Sequence, residues 1–233
     1  EYAFNWSYGK GETFTLLIPN FYGGASQAAL SSSSETYKVM VSRGVDANMT
    51  QQFISALPLY WGDQPMTSGP VYAGAIICFL FILGLFLIKG PFKTWIITVT
   101  VLYIVWSWGK NLAFVNYLFF DYFPVFNKFR AVTMVLSLAQ LLMVIFAIYT
   151  LSEILKYKFT WQQLKKPFTI SIALTAGLCV VFAVIPGIFF NFSSISDAQL
   201  LEGLTQSTQD RNFAQAILSA IQEDRKSLLQ ADA

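Results

Sequence analysis

Four long stretches without a charged residue dominate the pattern of hydrophobic and polar positions along the chain. They cover residues 71–88, 94–109, 131–152 and 167–192. A helix needs roughly 20 apolar residues to cross the hydrocarbon core, and in that core every backbone polar group must be bonded internally. The stretches therefore predict four transmembrane helices, the second of which borrows flanking residues. The alternative, buried helices in a large soluble core, would give each helix a polar face, and these stretches have almost none.

The composition supports a membrane protein. The chain has 233 residues, of which 55% are hydrophobic and 12% are charged, and its mean hydropathy is +0.52. Ordinary globular chains carry about 25% charged residues, and disordered chains combine low hydrophobicity with high net charge. The net charge is only +2, whereas a nucleic-acid binder would carry a clustered basic face, so the sequence predicts no nucleic-acid partner.

The residue types that are missing limit the chemistry. The sequence contains no histidine, and its two cysteines, Cys78 and Cys179, lie inside apolar stretches where a structural role is expected. It has no glycine-rich phosphate loop, no nucleophile elbow and no cluster of metal ligands. We therefore expect neither a metal nor a cofactor.

The lysines predict an orientation. Residues 89–93 and 153–166 together carry six lysines and one acid, whereas residues 110–130 carry three basic residues and one acid. Basic residues favour the cytoplasmic side, so the first two loops are predicted to be cytoplasmic. Four spans then leave both ends of the chain extracytoplasmic.

The predicted fold is mainly α, with four membrane spans and a small mixed extracytoplasmic domain that both ends form. Residues 1–70 are the first extracytoplasmic segment, residues 71–192 are the transmembrane region with an aromatic loop at residues 109–130, and residues 193–233 are a second, helical extracytoplasmic segment.

The two terminal segments carry local signals. Aromatic residues alternate over residues 2–8, which indicates a strand or a short helix. Asp46 is placed to cap a helix that runs to Leu57, and Asp210 to cap a helix whose charged residues 223–226 lie away from its apolar face.

The aromatic loop is the main candidate for function. It is too interrupted to span, which predicts a re-entrant or interfacial segment, and it ends in Asn127, Lys128, Phe129 and Arg130 just before a span. Two cations at a helix entry suit a phosphate or pyrophosphate, and Lys110 could extend the same patch. The alternative is that these cations only reach lipid headgroups. Asp63 and Asp121 are each either a base or sugar ligand, or a turn residue.

Four stretches together resemble the YfhO-like membrane proteins, particularly those of the Bacteroidetes. They are WSYGKGETFTLLIPNFYGG (6–24), YWGDQPMTSGPVYAG (60–74), LFFDYFPVFNKFRAVTM (118–134) and EDRKSLLQADA (223–233). Members of that family are longer, so the resemblance implies that this chain is an interior piece of a larger polypeptide.

The resemblance implies a glycosyltransferase of the GT-C superfamily in the bacterial inner membrane. Such an enzyme moves a sugar from a polyprenyl-phosphate donor to a cell-envelope acceptor, and its partners here would be the lipid-linked donor, membrane lipids and the rest of the same polypeptide. The family's catalytic acid lies in an earlier loop, so we expect this piece to be inactive alone. The implied donor-phosphate ligands are Lys128, Arg130 and Lys110; the implied sugar or lipid contacts are Asn127, Phe129, Tyr60, Trp61, Asp63 and Asp121.

The competing function is non-enzymatic: a membrane scaffold, or a component of a lipid or envelope-polymer transporter. Ion-coupled transporters place ionisable groups inside their spans, and the four predicted spans contain none. That argues against ion coupling but leaves scaffolding and lipid handling open.

Overall fold

The computed structural model describes residues 2–123, 131–156 and 158–233, and these residues fold into α-helices and short 3₁₀ turns. They contain no strand, only one isolated antiparallel bridge between Ala28 and Leu57. The predicted mainly α fold is therefore confirmed for this part of the chain. The helices are α1 (Glu35–Ser42), α2 (Ala47–Ile54), α3 (Ala75–Leu87), α4 (Pro91–Ser107), α5 (Ala113–Tyr122), α6 (Leu136–Leu155), α7 (Trp161–Val184), α8 (Pro186–Phe189), α9 (Asp197–Thr208) and α10 (Arg211–Asp232).

Within the described residues, two helical segments are long and apolar enough to cross a membrane. They are Val132–Leu155, a 3₁₀ turn followed by α6, with mean hydropathy 2.3, and α7, with mean hydropathy 2.1. A third span is counted if α4 and the following segment Gly109–Tyr122 form one broken span. The sequence predicts four spans, and the described residues contain two or three candidate spans.

The first predicted span, residues 71–88, forms the 13-residue helix α3. The helix begins at Ala75 instead of residue 71, because the backbone N–H groups of Ala73 and Gly74 donate to the carbonyl oxygen of Leu16 at 3.1 and 3.2 Å. Gly74 also has φ = +112°, which interrupts helical geometry. The residues before α3 are therefore held by a neighbouring segment instead of extending the helix.

The chain divides into two compact units. Unit 1 contains residues 1–19 and 71–180, and unit 2 contains residues 20–70 and 181–233. The first nineteen residues therefore group with the apolar helices, whereas the sequence groups them with the rest of residues 1–70.

Unit 1 is built on the packing of α6 against α3 and α4. Gly84 of α3 allows a close approach, because a Cβ atom there would lie 2.2 Å from Thr150 Oγ1 and 2.7 Å from Phe146 Cε1. Leu83 and Ile96 complete the buried contact around Phe146. Small residues at helix contacts are typical of membrane proteins, where close packing replaces the hydrophobic drive.

The buried residues of α7 are Ser171 and Thr175, in the part that belongs to unit 1, and Phe182, in the part that belongs to unit 2. The buried Ser171 and Thr175 lie one turn apart, and their hydroxyls donate to the carbonyls of Pro167 and Ser171 at 2.8 Å. Ile172 and Leu174 are exposed. Exposed apolar side chains are expected of a helix whose outer surface contacts lipid.

Unit 2 has a hydrophobic core between α10 and the helices α1 and α9. The predicted caps are confirmed: the carboxylate of Asp46 accepts hydrogen bonds at the start of α2, and that of Asp210 does so at the start of α10. The core contains Met40, Ile54, Leu57, Leu59, Leu204, Ala214, Ile217 and Ile221.

Two neighbouring charged residues of α10 are buried in unit 2. Arg225 forms a two-point ion pair with Asp197, at 2.8 and 2.9 Å, and also donates to the carbonyls of Phe192 and Pro58. Asp224 accepts hydrogen bonds from the backbone of α1. The prediction that residues 223–226 lie away from the packed face is therefore wrong for these two residues.

Candidate functional site at a helix break

The candidate site is built around a sharp break between α4 and α5. Helix α4 ends at Ser107, a 3₁₀ turn covers Gly109–Leu112, and α5 continues at a bend of 115°. A bend of this size leaves backbone groups without their usual helical partners, and in an apolar medium each of them must find another.

Gly109 makes the break possible. Its φ of +46° lies in the left-handed region, which side chains other than glycine's disfavour. A Cβ atom at this position would lie 2.1 Å from Ser7 Oγ and 2.9 Å from Val132 Cγ2. Only glycine fits both the backbone conformation and the space.

An N-terminal segment satisfies the backbone at the break. The N–H of Tyr8 donates to the carbonyl of Ser107 at 2.8 Å, and the N–H of Lys110 donates to Ser7 Oγ at 2.8 Å. The side-chain amide of Asn111 donates to the carbonyl of Tyr8 at 2.9 Å. We call residues 7–13 the N-terminal strap, because they bond to both sides of the break.

Two further side chains hold the bend from within. Trp108 Nε1 donates to Thr13 Oγ1 of the strap at 2.9 Å. The amide of the fully buried Asn116 donates to the carbonyls of Val105 and Leu112, at 3.0 and 3.3 Å. Asn116 thus joins α5 to the last turns of α4, and the 115° angle is a defined feature of unit 1.

The strap also carries a buried carboxylate that sequence reasoning missed. Glu12 is 1% exposed, and its Oε2 accepts a hydrogen bond from the N–H of Gly9 at 3.1 Å. Burying a carboxylate is costly, so such residues are kept for a structural or chemical purpose. The only signal in the sequence was its position just before the apolar stretch 14–18.

Helix α5 has two different faces. On the side that faces the rest of unit 1, Phe119 lies 5.1 Å from Trp106 and Phe120 lies 5.1 Å from Phe4, measured between ring centroids. On the other side, Phe114 and Tyr122 are 87% and 81% exposed.

Two predicted site residues lie at this break or on α5. Lys110 is exposed at the turn, and Asp121 is exposed in the last turn of α5. The other predicted residues of the aromatic loop, Asn127, Lys128, Phe129 and Arg130, lie outside the described residues.

The remaining predicted contacts lie in unit 2. Tyr60 and Trp61 are each 8% exposed, and Asp63 is exposed. The Tyr60 hydroxyl accepts a hydrogen bond from the N–H of Gln64 at 3.0 Å, and the Trp61 ring stacks on Tyr22 with centroids 4.0 Å apart. Both aromatic rings therefore contribute to the packing of unit 2, and their contact with a sugar or lipid stays a prediction.

The described residues contain no group of three or more His, Cys, Asp or Glu side chains that could hold a metal ion. What the break offers chemically is an exposed ammonium group, a rigid turn and an aromatic surface.

Comparison of the chain with protein-family models, with curated proteins and with solved structures finds no match. The resemblance to the YfhO-like proteins therefore rests on the four sequence stretches alone.

Proposed function

We propose that this chain is part of an integral membrane glycosyltransferase that takes a sugar from a polyprenyl-phosphate donor at the outer membrane surface. The observation that carries the proposal is the break between α4 and α5, where an apolar helix gives way to an exposed lysine and an aromatic helix. A donor with a charged head and a long apolar chain needs these two kinds of contact side by side.

The proposed topology keeps four spans with both ends extracytoplasmic. Helix α3 is only about 20 Å long at 1.5 Å per residue, but the four preceding non-helical residues add up to about 13 Å. Together they approach the hydrocarbon thickness of about 30 Å. Irregular backbone is tolerated at membrane depth where protein covers it, and Leu16 bonds this segment in unit 1.

In this proposal cations at the break bind the donor phosphate. Lys110 supplies a positive charge at the turn, and the sequence places Lys128 and Arg130 a few residues beyond α5. Arginine matches the geometry of phosphate with paired donors, and cations stabilise the charge that develops on a phosphate leaving group. The aromatic residues of α5 would contact the apolar chain of the donor.

The test measures binding of undecaprenyl phosphate to the full-length protein in lipid nanodiscs. The triple variant Lys110→Ala, Lys128→Ala, Arg130→Ala is expected to bind at least about tenfold more weakly, because charge-assisted contacts to phosphate are lost. Lys38→Ala is the matched control, since Lys38 is an exposed lysine of unit 2 that pairs with Glu35. Equal affinity of the triple variant and the unmodified protein would overturn the assignment.

The second candidate is a membrane scaffold or transporter component. It is favoured by α7, because only 17% of its most apolar stretch is buried inside the protein. Such a surface leaves room for neighbouring helices of an assembly. If the unmodified protein shows no binding of undecaprenyl phosphate, the scaffold becomes the better proposal.

A further inference from the structure

We infer that one face of α5 is a membrane-contact surface that rests at the headgroup and glycerol level of a phospholipid leaflet. We call it the α5 face, formed by Phe114, Tyr117, Leu118, Asp121 and Tyr122. The sequence predicts only that residues 109–130 are re-entrant or interfacial. The structure adds the surface and its angle, and neither depends on the transferase proposal.

The α5 face is exposed although it is mostly apolar. Its members are spaced at i, i+3, i+4, i+7 and i+8, which places them on one side of the helix. The opposite side is already used within unit 1, where Asn116 is fully buried and Phe119 and Phe120 pack on other aromatic rings. Tyr117 lies at the edge of the face, because its ring packs on Phe4 with centroids 4.7 Å apart while 41% of the residue stays exposed. In water this arrangement would leave an uncovered aromatic surface, so the face needs an apolar partner.

The bend identifies that partner as lipid. The pair formed by α4 and Gly109–Tyr122 is apolar enough for a span but turns by 115°. If α4 lies along the membrane normal, α5 lies within about 25° of the membrane plane. Ten residues extend about 15 Å, so its two ends differ in depth by about 6 Å. In-plane helices bury their apolar face by about 5–10 Å at the boundary between headgroups and acyl chains.

The side chains of the face set its depth. Tyr117 and Tyr122 combine an apolar ring with a hydroxyl, which suits the level where hydrocarbon meets water. Asp121 lies among them, and sinking its carboxylate into hydrocarbon would be costly. The face therefore stays at the headgroup level.

The test attaches nitroxide labels to cysteines introduced at Phe114, Leu118 and Tyr122 in a full chain carrying Cys78→Ala and Cys179→Ala. Collision rates with oxygen and with a polar nickel chelate report depth in vesicles of phosphatidylethanolamine and phosphatidylcholine. Labels at Ser42, exposed in unit 2, and at Ile145, exposed near the middle of α6, are the references. All three α5 labels are expected between the references. Values equal to either reference would overturn the inference.

A second measurement covers the case in which the cysteine-free chain does not fold. Hydroxyl-radical footprinting of the unmodified chain in the same vesicles is expected to spare Phe114 and Tyr122 but to oxidise Met49 and Met66, which are exposed in unit 2. Equal oxidation of all four residues would place the α5 face in water and overturn the inference.

Discussion

The two units bury polar side chains in different ways. Unit 2 buries a full ion pair, Arg225 with Asp197. In the described helices of unit 1, the buried polar side chains are neutral apart from Glu153, which lies in the last turn of α6; Glu12 lies in the strap. The neutral residues are Thr100, Ser107, Asn116, Thr150, Ser171 and Thr175.

The difference between the units lies in the buried charges, because both units bury threonines whose hydroxyls bond within their own helix, as Thr50 does in unit 2. The hydroxyls of Thr100, Thr150 and Thr175 donate to carbonyls four residues earlier in their own helices, at 2.7–2.8 Å. Such bonds need neither water nor a partner helix, as a helix in lipid requires. The ion pair of unit 2 instead depends on contacts between helices, because Arg225 of α10 bonds to Asp197 at the start of α9.

The largest expected effect is the loss of the ion pair. Arg225→Met should lower the free energy of unfolding of unit 2 by about 3–5 kcal/mol, because it leaves the Asp197 carboxylate buried without its cation. Pulse proteolysis of the full chain in detergent micelles with increasing urea measures this.

Lys226→Met is the control, since Lys226 is the next residue and forms a more exposed pair with Glu223. Adding Asp197→Leu to Arg225→Met should recover part of the loss. If Arg225→Met and Lys226→Met have the same free energy of unfolding, the buried ion pair does not stabilise unit 2. The two units would then no longer differ in how they use buried charge.

A pair of glycine substitutions compares how tightly α3 and α7 pack within unit 1. Gly84→Ala should destabilise by about 1–3 kcal/mol, because the new methyl group collides with Thr150 and Phe146 of α6. Gly177→Ala in α7 meets no atom within 4 Å, so it should be neutral or stabilising by up to about 1 kcal/mol through helix propensity.

Denaturant unfolding of both variants in mixed micelles measures the difference. If Gly177→Ala is as harmful as Gly84→Ala, α7 packs as tightly as α6, and its outer surface does not face lipid. The buried shares of their most apolar stretches, 39% for α6 and 17% for α7, predict the opposite.

The smallest expected effect concerns the ion pair between the half-exposed Lys158 and the buried Glu153 at the end of α6. The hydrogen bond from Lys158 to Glu153 raises the pKa of Lys158 above its ordinary value of 10.5. The pair therefore adds stability below the unfolded-state pKa, and this contribution is lost as the pH rises through the higher folded-state pKa.

Lys158→Gln should thus lower the Tm slightly at pH 8, and the difference from the unmodified chain should shrink at strongly alkaline pH. The effect is small because the lysine side chain is half exposed. Lys166→Gln, an exposed lysine of α7, is the control. A difference that grows with pH would contradict the assignment of the pair.

Much of the fold follows from local signals in the sequence. Charge-free stretches locate the apolar helices, and Asp46 and Asp210 cap helices as their positions predict. These features depend on residues within one helical turn or one helix face, which a sequence shows directly.

Long-range contacts account for what the sequence does not show. The burial of Asp224 and Arg225 depends on partners in segments far away along the chain, and the charges alone resemble an ordinary hydrated surface. Likewise, the strap residues Ser7 and Tyr8 matter only because the break brings Ser107 and Lys110 to them. The sequence alone places Lys110 just after an apolar helix, but the 115° bend depends on contacts with residues far away along the chain.

The cap of α1 has a consequence for the order of events during synthesis. The backbone N–H groups of Glu35 and Thr36 bond to the carboxylate of Asp224, across 189 and 188 positions of the chain. Residues 20–70 therefore leave the ribosome long before the helix that completes their core, and the apolar helices emerge in between. The core of unit 2 is complete only after α10 has been synthesised, and its apolar residues stay uncovered until then.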